Sequence, residues 1–176
     1  NVATVSEYIV GNHISADRTD TKTLIPFLEK LCKKHPVKRV VVDSGYESEE
    51  AYDYLKQRKQ IPYIKPQTYE KWKKRSFKQD ISKRENMSYD EESDTYTCHA
   101  GQTLSPLYVK KQKSRNGYES EVTVYECADC EGCSHKDKCT KAKGNKRLYV
   151  SKNFISQRQF SYENIMSETG TKYRMN

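Results

Sequence analysis

The apolar residues of this sequence are concentrated near its start, and this limits where a packed core can form. Of the 30 Leu, Ile, Val and Phe residues, 17 lie within the first 65 positions and 13 within the remaining 111. The total falls below the roughly 20% of a chain under which a highly charged sequence is expected to be disordered. Residues 1–65 therefore predict a globular core, whereas the rest needs another source of stability, such as a metal ion, DNA or a partner.

The same sparse pattern excludes a membrane-spanning helix. No run of apolar residues approaches the roughly 18 that a helix needs to cross a bilayer. Residues 1–15 also lack the basic start and apolar stretch of a secretory signal. We therefore expect a cytoplasmic protein, and a length of 176 residues suits one domain with a small satellite.

The pattern of residues 1–68 predicts an α/β domain. Alternating apolar residues in 2–5 and 8–14 indicate a hairpin. Helices are predicted over 23–34, capped by Asp20 or Thr21, and over 49–58, capped by Ser48. Strands are predicted over 39–43 and 61–65, and the β-branched run of the first suggests burial on both faces of a parallel or mixed sheet. This order of elements is typical of α/β folds.

Residues 69–150 have a different composition, basic at first and then rich in predicted strands. The stretch KWKKRSFKQDISKR carries seven Lys or Arg and one Asp. YDEESDTYTC predicts a hairpin with an acidic turn, and strands over 104–112 and 118–126 are joined by an Asn-Gly pair, a strong hairpin signal. After a last strand at 147–150, residues 151–176 predict a polar helix that returns to the core.

Five of the six cysteines lie between positions 98 and 139, and the last four follow the spacing C-x2-C-x2-C-x5-C. Thiolates at two-residue spacing can converge on one Zn²⁺, and four of them form a closed structural site. An iron–sulfur cluster or no metal at all are the alternatives. Disulfides would need an oxidising compartment, to which nothing in the sequence directs the chain.

Five thiols compete for the four places of such a site. The predicted ligands are Cys98, Cys130, Cys133 and Cys139, with Cys127 as the spare thiol that could replace Cys98. His99 and His135 are neighbouring alternatives. The sixth cysteine, Cys32, lies on the first predicted helix and is interpreted as a packed thiol.

Asp43 ends the apolar strand VVVD. Ligands of open α/β sheets bind outside the carboxyl ends of the strands, and a carboxylate fixed there can hold Mg²⁺. A simple turn aspartate is the alternative, because Asp is common in turns. We expect Tyr46 to pack near Asp43.

The stretch TDTKTLIPFLEK…VVVDSGYESEEAYDYLKQRKQIPYIKP resembles the catalytic core of DDE transposases from bacterial insertion sequences. YDEESDTYTCHAGQTL and CADCEGCSHKDKCTKAKG resemble the cysteine-bearing insertion of one branch of these enzymes. The resemblance implies a partial RNase H-like fold, that is, a mixed sheet with flanking helices interrupted by a β-rich, zinc-knuckle-like insertion. The implied domains are a core over 1–68, the insertion over 69–150 and a returning helix over 151–176.

The resemblance also implies a mechanism. Two Asp and one Glu hold two divalent ions, Mg²⁺ or Mn²⁺, for in-line attack on a DNA phosphodiester. Asp43 matches the second acid, while the first Asp is expected before Asn1 and the Glu after Asn176. Glu163 and Glu168 are not assigned that role. The chain alone is then an inactive fragment, and the complete enzyme is expected to act as a homodimer on transposon ends and target DNA.

The basic stretch is the predicted DNA contact. Basic groups collect phosphates and aromatic rings can stack on bases, although a solvated surface is the plainer interpretation. The predicted DNA-binding residues are Lys71, Trp72, Lys73, Lys74, Arg75, Lys78, Lys83 and Arg84. Two other functions remain open: a non-catalytic, zinc-bearing DNA-binding remnant, and an RNase H-like nuclease that does not transpose.

Overall fold

The computed structural model of the chain describes residues 2–5, 8–16 and 19–175. The chain divides into two compact units. The α/β unit consists of Asn1–Gln67 and Asn153–Asn176, and the β unit consists of Thr68–Lys152. Within the described ranges, no helix is both long and apolar enough to cross a membrane.

The described strands and helices follow one another along the chain with short connections. The strands are β1 (Val2–Val5), β2 (Tyr8–Asn12), β3 (Arg39–Val42), β4 (Ile61–Ile64), β5 (Ser88–Asp90), β6 (Thr95–Thr97), β7 (Thr103–Lys113), β8 (Glu119–Cys127) and β9 (Arg147–Val150). The helices are α1 (Leu24–Leu31), α2 (Glu49–Gln57), α3 (Tyr69–Trp72), α4 (Arg75–Lys78), α5 (Lys136–Cys139), α6 (Lys152–Met166) and α7 (Glu168–Met175).

The α/β unit is built on a β-α-β arrangement. β3 and β4 pair in parallel, from Arg39 opposite Ile61 to Val42 opposite Ile64, and α2 connects them. β1 and β2 form the predicted antiparallel hairpin, whose turn at residues 6–7 lies outside the described part of the chain. The parallel pair confirms the predicted α/β class for this part of the chain.

The core of the α/β unit forms where the apolar stripes of α1 and α2 meet the sheet. The stripe of α1 recurs every three or four residues and is buried, as its spacing predicts. The buried cluster consists of Leu24, Phe27, Leu28, Leu31, Val40, Ala51, Tyr52, Leu55 and Ile64. Each large side chain buried here contributes about 1.5–3 kcal/mol to folding.

The prediction that β3 is buried on both faces is wrong. Val40 is buried at 5% exposure, but Val41 is 43% exposed. Successive side chains of a strand point to opposite faces, and only the face of Val40 packs against the core cluster. A β-branched run therefore marked the strand correctly without revealing that one of its faces is open.

Helix α6 covers the free edge of β4. The hydroxyl of the buried Ser161 accepts a hydrogen bond from the N–H of Ile64 (2.8 Å) and donates one to the carbonyl of the same residue (3.1 Å). The side chain of Asn164 donates to the carbonyl of Pro62 (3.1 Å). These bonds satisfy main-chain groups that an edge strand would otherwise leave unpaired. The predicted polar helix is thus present, and a second helix, α7, follows it.

Of the two predicted helix caps, one is confirmed and the other is wrong. Ser48 caps α2 as predicted, because its Oγ accepts a hydrogen bond from the N–H of Ala51 (3.1 Å). The predicted cap of α1 by Asp20 or Thr21 is wrong. Residues 20–22 form a short 3-10 turn, and Thr23 precedes α1 without a side-chain cap. The hydroxyl of Thr23 instead donates to the carbonyl of Asp20 (2.9 Å).

The β unit is a five-stranded antiparallel sheet in the order β5-β6-β7-β8-β9. The hairpins predicted around the acidic turn and the Asn-Gly pair are both present, as β5–β6 and β7–β8. Gly117 has a φ of +91°, a left-handed conformation that suits a hairpin turn. Leu104, Val124 and Tyr125 are completely buried in this sheet.

Asp94 ties the acidic turn to the sheet. Its Oδ1 accepts hydrogen bonds from the hydroxyls of Tyr89 (2.7 Å) and Tyr125 (2.6 Å), and its Oδ2 accepts one from Lys152 (2.6 Å). Burial acts to raise the pKa of Asp94, but these three donors lower it overall. The hydrogen bond to the carboxylate raises the pKa of Tyr89 to about 12.

Candidate functional site

Asp43 lies directly after β3, at the carboxyl end of the parallel pair, and its side chain is exposed. Its Oδ1 accepts a hydrogen bond from the N–H of Gly45 (2.8 Å), so Asp43 caps the short 3-10 turn over Ser44–Tyr46. The strand fixes the main chain and the turn fixes the direction of the carboxylate. The site therefore presents an oriented carboxylate at the edge where α/β sheets bind ligands.

A second carboxylate approaches the same turn. A Cβ atom placed on Gly45 would lie 3.2 Å from Oδ1 of Asp43 and 3.3 Å from Oδ2 of Asp20, so both acids border the space beside this glycine. Burial raises the pKa of Tyr46, and the charges of Asp20 and then Asp43 raise it further. Tyr46 thus packs near Asp43 as expected.

Sequence reasoning treated Asp20 only as a helix cap and missed it as a neighbour of Asp43. The proximity arises because the turn before α1 and the turn after β3 meet in three dimensions, which no local pattern encodes. Carboxylate oxygens are the ligands that Mg²⁺ and Mn²⁺ prefer, so the chemistry of this pair fits such an ion. Among the described residues, no group of three or more His, Cys, Asp or Glu side chains is arranged to hold a metal ion.

The α/β unit has a large cavity beside this edge. It has a volume of about 660 Å³, and Asp43 and Tyr46 are among the residues that line it. Half of the remaining lining residues are apolar residues of α1 and β3.

In the β unit, all five clustered cysteines line one small cavity of about 20 Å³. They reach it from the end of β6, the end of β8, the following loop and the end of α5: Cys98, Cys127, Cys130, Cys133 and Cys139. His99 and His135 line the same cavity, and their rings pack edge to face with centroids 4.9 Å apart. The structure thus brings together every thiol that the spacing predicted. In the described structure, these side chains are not arranged to hold a metal ion.

Two of these thiols have a perturbed acidity. Burial raises the pKa of Cys127 to about 12, helped by a hydrogen bond with Cys130, and its Sγ donates to the carbonyl of Asp129 (3.5 Å). Burial also raises the pKa of Cys139, against the opposing charge of Lys146. All six cysteines lie in described ranges and carry free thiols. Cys32 packs against the core of the α/β unit, as its helical position predicted.

The basic stretch forms the short helices α3 and α4 and the turns around them. Three of its cations are engaged by nearby carboxylates: Lys73 with Glu70 (3.2 Å), Lys83 with Asp80 (3.6 Å) and Arg84 with Glu85 (3.5 Å). In the part of the chain that the structure describes, the other four are exposed and form no ion pair with a carboxylate: Lys71, Lys74, Arg75 and Lys78. Trp72 is half-buried.

Comparison with known families adds one finding to this geometry. Residues 97–176 match the family described as a transposase DDE domain. The match takes in the five clustered cysteines, β7 to β9, α6 and α7, and it supports the resemblance to a DDE transposase fragment. It does not include Asp43, Asp20 or the basic stretch. No curated protein and no solved structure matched the chain significantly.

Proposed function

We propose that this chain is part of a DNA transposase that cleaves and joins phosphodiester bonds by a two-metal DDE mechanism. The observation that carries the proposal is the match of residues 97–176 to a transposase DDE domain. The position of Asp43 at the carboxyl end of a parallel strand supports it independently. We infer that the α/β unit is the RNase H-like core and that the β unit is its insertion. From the resemblance alone, we expect a homodimer.

In this proposal Asp43 is one of three metal-holding acids. Its Oδ1 accepts a hydrogen bond from the N–H of Gly45 (2.8 Å), and the residue is exposed at this edge. Divalent ions bound there supply Lewis-acid stabilisation of the attacking and leaving oxygens. Asp20 lies close enough to raise the negative potential at the same edge. Since two further acids are needed, the chain alone is expected to be inactive.

The function is tested with the longest open reading frame that contains this chain. The purified protein, given Mg²⁺ or Mn²⁺ and DNA bearing the ends of its own element, is expected to cleave those ends and join them to target DNA. Binding without cleavage would instead favour the non-catalytic DNA-binding remnant. Cleavage without joining would favour the RNase H-like nuclease. Cleavage by residues 1–176 alone would contradict the incomplete site.

We also propose that the basic stretch contacts DNA phosphates. Four of its cations are exposed and not neutralised by carboxylates in the described structure, so they can release counterions when they meet a phosphate backbone. The net charge of +8 for the whole chain also favours binding to DNA.

Replacing these four cations with glutamine is expected to weaken DNA binding and its salt dependence. Each phosphate contact contributes about 0.9 to the slope of log affinity against log salt, so the slope should fall by about 3–4. The measurement is a titration of labelled duplex DNA by fluorescence anisotropy at several salt concentrations. The changed residues are Lys71, Lys74, Arg75 and Lys78.

A matched control removes the same charge from exposed lysines of the α/β unit, namely Lys30, Lys33, Lys34 and Lys38. This variant should keep most of the original slope. An equal loss in both variants would mean that net charge, and not the basic stretch, determines binding.

A further inference from the structure

The cysteine cavity lies in a part of the chain with few apolar residues to hold it together. The loop from Cys127 to Cys139 contains no Leu, Ile, Val or Phe, yet Cys127 and Cys130 are buried. Gly132, between Cys130 and Cys133, has a φ of +66°, a conformation that lets the chain reverse sharply between two thiols. The turn directs both side chains to the same cavity.

One main-chain donor and one cation lie beside these thiols. The N–H of Lys146 donates to Sγ of Cys130 (3.4 Å), and the N–H of Cys130 donates to Asn145 Oδ1 (3.0 Å). The ammonium of Lys146 binds the carbonyls of Cys139 (2.8 Å) and Ser82 (2.9 Å). A donor to sulfur and a nearby positive charge are both features of the surroundings of metal-bound thiolates.

The five thiols are not equivalent. Cys130, Cys133 and Cys139 belong to one short stretch of chain, and Cys98 lines the same cavity from the end of β6. Cys127 is 2% exposed and donates its S–H to the carbonyl of Asp129 (3.5 Å), so its proton already has an acceptor. The Sγ of Cys139 lies farther from a carbonyl, 4.0 Å from that of Ile81, so Cys127 is the thiol more closely engaged by a main-chain acceptor.

The size of the cavity bears on whether it holds a single metal ion or an iron–sulfur cluster. A volume of about 20 Å³ is close to that of a single small sphere, given that one water probe needs about 10–15 Å³. A cavity of this size matches one ion more closely than a cluster of several iron and sulfur atoms. Four thiolates around one ion define the closed tetrahedral arrangement of structural zinc.

We propose that Cys98, Cys130, Cys133 and Cys139 bind one structural Zn²⁺ as thiolates, with Cys127 as a neighbouring thiol outside the ligand set. Binding releases the four thiol protons to solvent and draws the sulfurs inward to about 2.3 Å from the ion. Lys146 offsets part of the negative charge that four thiolates leave on the site. This proposal concerns the stability of the β unit and is independent of the proposed DNA chemistry.

The test is the metal content of the full chain, purified without added metal under reducing, anaerobic conditions. We expect one zinc per chain by elemental analysis. Exchange with Co²⁺ should give the absorption of a tetrahedral ion with thiolate ligands. Cys127→Ser should retain both signals, as should the control Cys32→Ser in the α/β unit, whereas the double variant Cys133→Ser, Cys139→Ser should lose zinc.

Removal of zinc from the wild-type chain by a chelator avoids variants that fail to fold. It should lower the melting temperature reported by Trp72, the only tryptophan of the chain and a residue of the β unit. A metal-free protein, or one that contains iron, would overturn the proposal. So would retention of zinc by Cys98→Ser together with its loss from Cys127→Ser, because the ligand set would then be wrong.

Discussion

Replacement of Glu47 by alanine is expected to lower the free energy of unfolding of the α/β unit by about 3–5 kcal/mol. The Glu47 side chain is completely buried and forms a bidentate ion pair with Arg158, with N···O distances of 2.7 and 2.8 Å. It also accepts hydrogen bonds from the hydroxyl of Tyr52 (3.0 Å) and the N–H of Gln67 (2.8 Å). Removing the carboxylate leaves all of these donors without an acceptor.

The loss of stability is large because the variant keeps the groups that Glu47 had paired. A partly buried cation without its carboxylate and unsatisfied buried donors incur a desolvation penalty that nothing compensates. Hydrogen–deuterium exchange measures the effect directly: amides of β3, β4 and α2 should lose protection. Glu29→Ala is the matched control, because Glu29 is an exposed glutamate on α1, and its effect should stay within about 0.5 kcal/mol.

A second variant separates the ion pair from simple loss of packing. Replacing Glu47 and Arg158 together with leucine removes both charges, so no buried charge is left unpaired. This double variant should be more stable than Arg158→Leu alone, which leaves the carboxylate buried. If the double variant is the less stable of the two, the ion pair does not account for the effect.

The sequence could predict the elements whose causes are local. Ser48 caps α2 with its own hydroxyl, and the Asn-Gly pair closes the β7–β8 hairpin, because three or four adjacent residues suffice for each. The contacts that stabilise the α/β unit are different. Glu47 meets Arg158 across 111 positions and Ser161 meets Ile64 across 97, and no periodicity or spacing connects such pairs.

The same difference between local patterns and long-range contacts applies to the candidate sites. Asp43 could be singled out because a β-branched strand ending in a carboxylate is a local pattern. Asp20 could not, since its approach to Gly45 depends on how two turns meet. For the thiols, spacing predicted a cluster but not its ligands. The distinction between Cys127 and Cys139 rests on their contacts with the carbonyls of Asp129 and Ile81, which only the folded β unit provides.

Asp43→Asn is expected to reduce strand transfer by more than about 10³-fold, or about 4 kcal/mol of transition-state stabilisation. The amide keeps an oxygen that can still accept the hydrogen bond from Gly45, so the turn after β3 should persist. What it loses is the negative charge that holds a divalent ion at the exposed edge. The assay uses the full open reading frame, with rates measured under single turnover.

Two comparisons make this result specific. Glu29→Gln changes the same charge on an exposed residue of the same unit and should leave the rate within about twofold. DNA affinity of Asp43→Asn should also stay within about twofold, because loss of a carboxylate removes no phosphate contact. If the variant binds DNA normally and still joins it at the original rate, Asp43 is a turn aspartate. A loss of both binding and joining would place Asp43 among the residues that maintain the fold. Loss of joining alone is the outcome that assigns it to the chemistry.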